Sequence, residues 1–340
     1  MISTILRNDT MTSILDGKNI LLTGGTGSFG QMFSRYVLSH HNPASIRVYS
    51  RSEFLQYQME RDFDDKRLRL LIGDIRDERR LARAMQGIDI VIHAAALKHV
   101  PICEYNPIEA VRTNIEGATN LINASIDAGV EHVLALSTDK AVHPVNLYGA
   151  TKMVMEKLLV QGNAYTRSNI EKRTKISCVR YGNVVGSRGS VVPLFLEQAK
   201  AGQITITDER MTRFWLTLEQ GVQFVLQSLE KMKGGEIFIP KIPSMRVTDL
   251  AHAVAPESTW NVIGMRPGEK LHEVLITEDE ARHTVEYATH YEIIPELSPW
   301  RTDDYTFSLP EGFRYSSDNN TIWLSDSDLR EMIFNKNVSL

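Results

Sequence analysis

Two short stretches hold residue types that can do chemistry together: Ser137-Thr138-Asp139-Lys140 and, just downstream, Tyr148-Gly149-Ala150-Thr151-Lys152. A tyrosine and a lysine four apart share one helix face. There the lysine ammonium can lower the phenol pKa from about 10 toward the working range. Such a phenol takes a proton from an alcohol while a nicotinamide takes the hydride. Simple alcohol oxidation needs neither a further carboxyl nor a further amine. Asp139 and Lys140 therefore point to a second stage, in which an acid and a base act after the oxidation.

The elements that must position these residues alternate. Apolar, strand-like runs fall at 18–23, 46–49, 68–72, 88–93, 132–136 and 176–180. Helical periodicity fills the gaps, most clearly over 108–128 and 148–165. This rhythm predicts an α/β protein with a doubly wound (Rossmann) parallel sheet. After about Asn183 the pattern changes to short helices, isolated strands such as 236–239, and loops broken by Pro240, Pro243, Pro256 and Pro267. The expectation is a smaller C-terminal substrate-binding lobe over the C-terminal edge of the sheet, ending in a short helix over 327–334. The boundaries read as a flexible N-terminal extension over 1–15, a Rossmann domain over 16–182, and the lobe over 183–340, with some of its segments returning to the Rossmann domain. Met11 is an alternative start.

The first strand runs into Thr23-Gly24-Gly25-Thr26-Gly27-Ser28-Phe29-Gly30, a glycine-rich turn that opens a helix. Glycine permits a tight turn and the close approach of a pyrophosphate to the helix N-terminus. Gly24, Thr26, Gly27, Ser28, Phe29 and Gly30 are thus candidate cofactor contacts. At the end of the second strand, where an NAD site places an acid, stand Ser50 and Arg51. A guanidinium there suits the 2′-phosphate of NADP. Asp74, followed by Ile75, can accept from the adenine amino group. Ala94 and Ala95 are small enough for a dinucleotide to lie against the backbone.

These residues resemble the extended short-chain dehydrogenase/reductase family over almost the whole chain. Ala94–Pro101, Ser137–Ala141, Asn146–Lys152, Arg180–Ser190, Met211–Trp215 and Arg266–Glu273 resemble the inverting UDP-N-acetylglucosamine 4,6-dehydratases, chiefly the soluble members that open pseudaminic acid biosynthesis for flagellin glycosylation. The resemblance implies oxidation of the hexose at C4, loss of water across C5–C6, and reduction at C6 with inversion at C5. It implies Tyr148 as the C4 base, and Lys152 as the group that holds the cofactor ribose and tunes the phenol. Thr138 would hydrogen-bond the C4 oxygen, Asp139 would act as acid for the C6 hydroxyl, and Lys140 as base at C5. That last role requires the Lys140 pKa to fall by about three units; the opposing expectation is a charged Lys140 paired with Asp139 or a phosphate. Lys98, Asn183, Val191 in the turn from Gly189, Arg266 and Glu269 are the implied substrate contacts. A homo-oligomer, as a hexamer, is implied as well.

Composition narrows the alternatives. Thirty-eight Lys and Arg against 42 Asp and Glu give a net charge of −4, so no basic field for nucleic acid is expected. No apolar run approaches the roughly 18 residues of a membrane span. Two cysteines, Cys103 and Cys178, suit a reducing cytoplasm better than a disulfide framework. The histidines lack metal-ligand spacing, so no metal is expected, and His93 reads as packed core. A sugar-nucleotide 4-epimerase or reductase, a non-inverting 4,6-dehydratase and a non-catalytic NADP-binding regulator remain alternatives. The first of these leaves Asp139 and Lys140 without a task.

Overall fold

A computed structural model of the chain describes residues 13–166, 173–186, 190–300 and 305–334. Six strands of the Rossmann half follow the alternating sequence: β1 (Asn19–Thr23), β2 (Ser45–Ser50), β3 (Leu68–Ile72), β4 (Ile90–His93), β5 (His132–Leu136) and β6 (Lys175–Val179). They pair in parallel. β1 lies between β2 and β4, so the sheet changes direction of progression there, and ligands of such sheets bind at that crevice. Leu21, Leu22, Ile46, Val48, Val91, Ile92, Val133 and Leu134 are fully buried. Helices on both faces explain why these strands are apolar throughout rather than alternating. Burial of each such side chain contributes about 1.5–3 kcal/mol.

Beyond β6 come β7 (Asn183–Val184), β8 (Gln203–Ile206), β9 (Thr212–Leu216), β10 (Ile237–Pro240), β11 (Ser244–Arg246), β12 (Thr259–Val262), β13 (Val274–Ile276), β14 (Thr284–Glu286), β15 (His290–Ile293) and β16 (Tyr315–Ser316). Three of them return to the main sheet. β10 extends it in parallel beside β6, and β15 and β14 follow antiparallel at that edge, giving the order β14-β15-β10-β6-β5-β4-β1-β2-β3. The others form small sheets, β11-β9-β7, β12-β8 and β13-β16. A second core of Val192, Phe195, Ile204, Trp215, Met245, Leu250, Leu329 and Ile333 binds β8, β9 and β11 to the helices around them.

Two local readings are corrected. Leu15, assigned to the extension, is fully buried in the main core, and the preceding turn is tied by Asp16 N–H to Ser13 O (2.9 Å). The apolar side chain has core to fill, so order reaches back past residue 16; residues 1–12 lie outside the described residues. The helix read over 108–128 is interrupted: Pro107–Val111 and Gly117–Ala128 are α-helical, but Arg112–Glu116 forms a π turn. Inside that turn, buried Asn114 bonds both backbone groups of Leu97 and the hydroxyl of Thr151 (each 2.9 Å). An inserted π turn of this kind re-aims one side chain without ending the helix. The final helix runs over Asp326–Phe334.

Candidate active site

β1 delivers the glycine-rich turn to the crevice. Gly24 has φ +68°, and a Cβ on it would stand 2.8 Å from the backbone of Ala95, so neither the dihedral nor the space admits a side chain. The helix Ser28–His40 that follows has Gly27 as N-cap and no side-chain cap, the arrangement that receives a pyrophosphate. Thr26 is buried, with its carbonyl accepting from Gln31 Nε2 (3.1 Å), and Phe29 stacks on Phe33. Ala95 N–H donates to Thr23 Oγ1 (3.3 Å), whose hydroxyl also pairs with Nδ1 of buried His93 (2.7 Å).

At the neighbouring strand ends, Ser50 Oγ accepts from Gln56 Nε2 (3.0 Å) and Arg51 is exposed. Burial pushes the Asp74 carboxyl up, but the Arg76 guanidinium, as close as 2.6 Å, holds it below the usual carboxylate range. Ile75 is buried, and a Cβ on Gly117 would lie 2.8 Å from its side chain; any cofactor contact there falls to the backbone. A cradle closed to side chains beside an uncapped helix start fits a dinucleotide.

The corner that holds the candidate catalytic residues forms where β5 ends. Thr138 caps the short 3₁₀ turn Asp139–Ala141, accepting from Lys140 N–H (3.4 Å). His143 takes the left-handed conformation (φ +42°), and Asn146 then caps the helix Leu147–Gly162 by accepting from Gly149 N–H (2.8 Å). A Cβ on Gly149 would stand 2.2 Å from the Lys140 carbonyl oxygen, so glycine lets the helix start close against the turn. Tyr148 is thereby brought beside Thr138 and Lys140.

The polar atoms of this corner converge on one carboxylate. Thr138 Oγ1 donates to Asp139 Oδ1 at 2.8 Å, and Lys140 Nζ donates to the same oxygen at 3.0 Å. Asp139 Oδ2 is buried and has no hydrogen-bond partner among the described residues. Burial drives the Asp139 carboxyl up, reinforced by Glu273 and only partly reversed by Lys140. A proton-avid carboxyl with one orphaned oxygen is equipped to donate to an incoming hydroxyl.

Two expectations about charge are corrected. Burial favours a neutral Lys140, but Asp139 and Glu273 (3.5 Å) outweigh it, so its ammonium is held above the ordinary lysine range rather than below. Burial also pushes the Tyr148 phenol up to about 12, against the charge of Lys140 and a hydrogen bond shared with Thr138. The cation pulling the phenol down is thus Lys140. Lys152 is buried and donates to Leu136 O (2.6 Å) and Met155 Sδ (3.0 Å); burial lowers its own pKa to about 8.

Asn183, Val191, Arg266 and Glu269 line a single cleft of about 480 Å³. In it, Asn183 Oδ1, Ser190 Oγ and Trp215 Nε1 have no hydrogen-bond partner among the described residues. Arg266 N–H donates to Glu269 Oε2 (3.1 Å), so that loop braces itself. Gly189 lies outside the described residues. Lys98 stands apart from the cleft walls. It is exposed as a residue, yet partial burial of its ammonium and the charge of Lys140 lower its pKa, which puts it near the catalytic corner.

Four residues were missed. Glu273, Arg213 and Lys270 surround Lys140 and Asp139 with charge, and Asn114 ties the Leu97 segment to the catalytic helix. Glu273 and Lys270 lie in the Arg266–Glu273 stretch that carries the resemblance, and Arg213 in Met211–Trp215, but none of the three is given a role there. Only the fold, joining positions over a hundred residues apart, makes Glu273 part of the site.

The doubly wound sheet, glycine turn and Tyr-x-x-x-Lys helix define a protein of the short-chain dehydrogenase/reductase type. Residues 20–295 match the family described as polysaccharide biosynthesis protein, and the chain belongs to that family. It is 51% identical over 328 residues to a UDP-N-acetylglucosamine 4,6-dehydratase (inverting) of Campylobacter jejuni, covering 93% of this chain and 97% of the relative. A UDP-glucose 4-epimerase of Rickettsia massiliae is 41% identical over 284 residues, covering 81% and 82%. Among solved structures, Pen from Bacillus thuringiensis superposes with a TM-score of 0.86 at 39% identity, covering 96% of this chain and all of that one. Among the described residues no helix is long and apolar enough to cross a membrane, and no cluster of metal-ligating side chains is present.

Proposed function

We propose that the chain converts UDP-N-acetylglucosamine to UDP-2-acetamido-2,6-dideoxy-β-L-arabino-hexos-4-ulose and water, a lyase reaction with NADP as a returning hydride carrier. The observation that carries this reading is the acid–amine contact between Asp139 and Lys140 at 3.0 Å, next to Tyr148.

NADP, held by the Gly24–Gly30 turn, would supply a nicotinamide able to take a hydride from C4 and give it back at C6. Tyr148 takes the proton of the C4 hydroxyl, and Thr138 holds the C4 oxygen. Lys140 and Thr138 favour the phenolate against burial. The new ketone acidifies the C5 proton, which Lys140 removes in its neutral form. Asp139 gives its proton to the departing C6 hydroxyl, and water leaves. One proton passed from Lys140 to Asp139 prepares both groups at once, and burial of the pair favours that neutral form. A proton from solvent would reach C5 on the face opposite Lys140 as C6 is reduced; the protons held by Lys140 and Tyr148 then pass to Asp139 and to solvent, so the only net loss from the sugar is water.

Arg51, standing where an NAD site carries an acid, supports NADP. The pyrophosphate falls to the turn from Gly24 to Gly30, the adenine side to Asp74 and Ile75, the nicotinamide side to Ala94 and Ala95, and the ribose to Lys152. The nucleotide sugar falls to Lys98, Asn183, Val191, Arg266 and Glu269. A boundary near residue 182 then separates the cofactor-binding half, which also carries the reacting side chains and Lys98, from the lobe that supplies the other substrate contacts. The product suits pseudaminic acid synthesis for flagellin glycosylation in the cytoplasm, where two buried free thiols stay reduced, and a homo-oligomer, as a hexamer, is the expected assembly.

The identity to an epimerase-named relative favours 4-epimerisation as the second reading. It uses Tyr148 and Lys152 and leaves Asp139 and Lys140 idle. Incubation with UDP-N-acetylglucosamine and NADP, followed by NMR of the product, separates the two. The proposal expects a 6-deoxy-4-keto sugar; a C4 epimer with its C6 hydroxyl intact would refute it.

A further inference from the structure

Glu273 comes from the C-terminal lobe, yet its carboxylate ends beside the Asp139–Lys140 pair. Its segment is pinned on both sides: Glu273 N–H donates to Ser317 Oγ (2.9 Å), and buried Arg180 donates to Leu275 O (2.8 Å). The same Arg180 binds Glu156, one turn beyond Lys152 on the catalytic helix, at 2.7 Å, which fixes the lobe segment against that helix. The Glu273 side chain is 3% exposed, against 27% for Lys140. Three cations face it: Lys140 at 3.5 Å and Arg213 at 3.8 Å from Oε1, and Lys270 at 3.7 Å from Oε2. Around Lys140 itself stand Asp139, Glu273, Arg213, Tyr148 and Lys98.

Arg213 and Lys270 are already engaged with backbone carbonyls: Arg213 with those of Thr212, Lys270 and Leu271, Lys270 with that of Val142. Lys140 alone among the three is bonded to a catalytic carboxylate. A desolvated carboxylate is costly unless paired, so this placement is not neutral for the ammonium it meets.

We propose that Glu273 is a positioning residue for the elimination, a buried carboxylate that anchors the Lys140 ammonium and biases the proton shared between Lys140 and Asp139. This deepens, and rests on, the reading of Asp139 and Lys140 as acid and base. Glu273 acts through Lys140 and touches no reacting atom. Its negative charge favours the proton on both neighbours. The working form carries one proton on the pair, with the amine neutral and the carboxyl protonated. It is therefore bounded by two ionisations of the pair, and Glu273 raises both.

The test is the pH dependence of turnover and of C5 deuterium incorporation from D₂O, with UDP-N-acetylglucosamine and NADP, for the wild type, E273Q and E273D. The expected result for E273Q is movement of both limbs of the profile toward acid by about one to three units. E273D keeps the charge, so its limbs stay in place even where its kcat falls. Lost kcat with unmoved limbs in E273Q would make Glu273 merely structural and overturn the proposal. The underlying reading is tested separately by exchange in the wild type and its loss in K140A; a wild type without C5 exchange overturns both. Should E273Q fail to fold, K270M supplies the reverse measurement. It removes a cation that disfavours protons on Lys140 and Asp139, so both limbs must move toward alkali, and unmoved limbs overturn the proposal.

Discussion

Lys140 Nζ stands 3.0 Å from Asp139 Oδ1, and one proton moved along that bond turns a buried ion pair into a neutral amine beside a neutral carboxylic acid. Asp139 itself, and then Glu273 with a second carboxylate 3.5 Å from the amine, favour the ammonium. The proposed elimination draws on the other form, which would make acid and base the two ends of one hydrogen bond.

Asp139→Asn keeps the shape of the corner but removes the exchangeable acid proton. Overall turnover should fall by about 10²–10⁴, while NADP binding and a first-turnover rise in nicotinamide absorbance at C4 oxidation persist. Stopped-flow absorbance with UDP-N-acetylglucosamine measures both. Unchanged overall turnover would move the acid elsewhere.

Lys152 is buried 3% exposed with a pKa lowered to about 8 by burial. The unfolded chain holds this proton up to about 10.5. Between these values the unfolded state binds more protons, so stability rises with pH across that window, and below about 8 the full penalty of a buried ammonium is present. Lys152→Met should therefore abolish turnover while raising stability at pH 7 by about 1 kcal/mol, the orphaned Leu136 carbonyl offsetting part of the gain. Denaturant unfolding at pH 7 and pH 10 checks this; the gain must shrink at the higher pH.

Arg51 is exposed at the end of β2. Arg51→Glu should weaken NADP by about 10- to 100-fold through loss of a charge-assisted phosphate contact, and leave NAD within a few-fold. Calorimetric titration of each dinucleotide reads the difference. Equal losses for both would place the 2′-phosphate elsewhere.

Much of this is legible in the sequence. The β1 turn, the Tyr148–Lys152 spacing and the alternation of strands depend on local periodicity and glycine chemistry, and residues 68–72 and 132–136 form strands as expected. What escaped depends on distance in space. The charge of Lys140 is set by Asp139 beside it together with Glu273 from the far lobe, and the π turn at Arg112–Glu116 has no periodic signature; a return of lobe segments to the main sheet is expected from the sequence, but not that β10, β14 and β15 are the strands that pair there. The expectation of a lowered Lys140 pKa weighed burial without the second carboxylate.

The proposed function rests on loss of water across C5–C6 through Asp139 and Lys140, with inversion at C5. Running the wild-type reaction on UDP-N-acetylglucosamine in D₂O and reading C5 of the product by NMR tests it most directly. The expected result is deuterium at C5 in an L-arabino 4-keto sugar, and loss of that label with Lys140→Ala. A product of D-xylo configuration alone, or deuterium incorporation undiminished in Lys140→Ala, would contradict it.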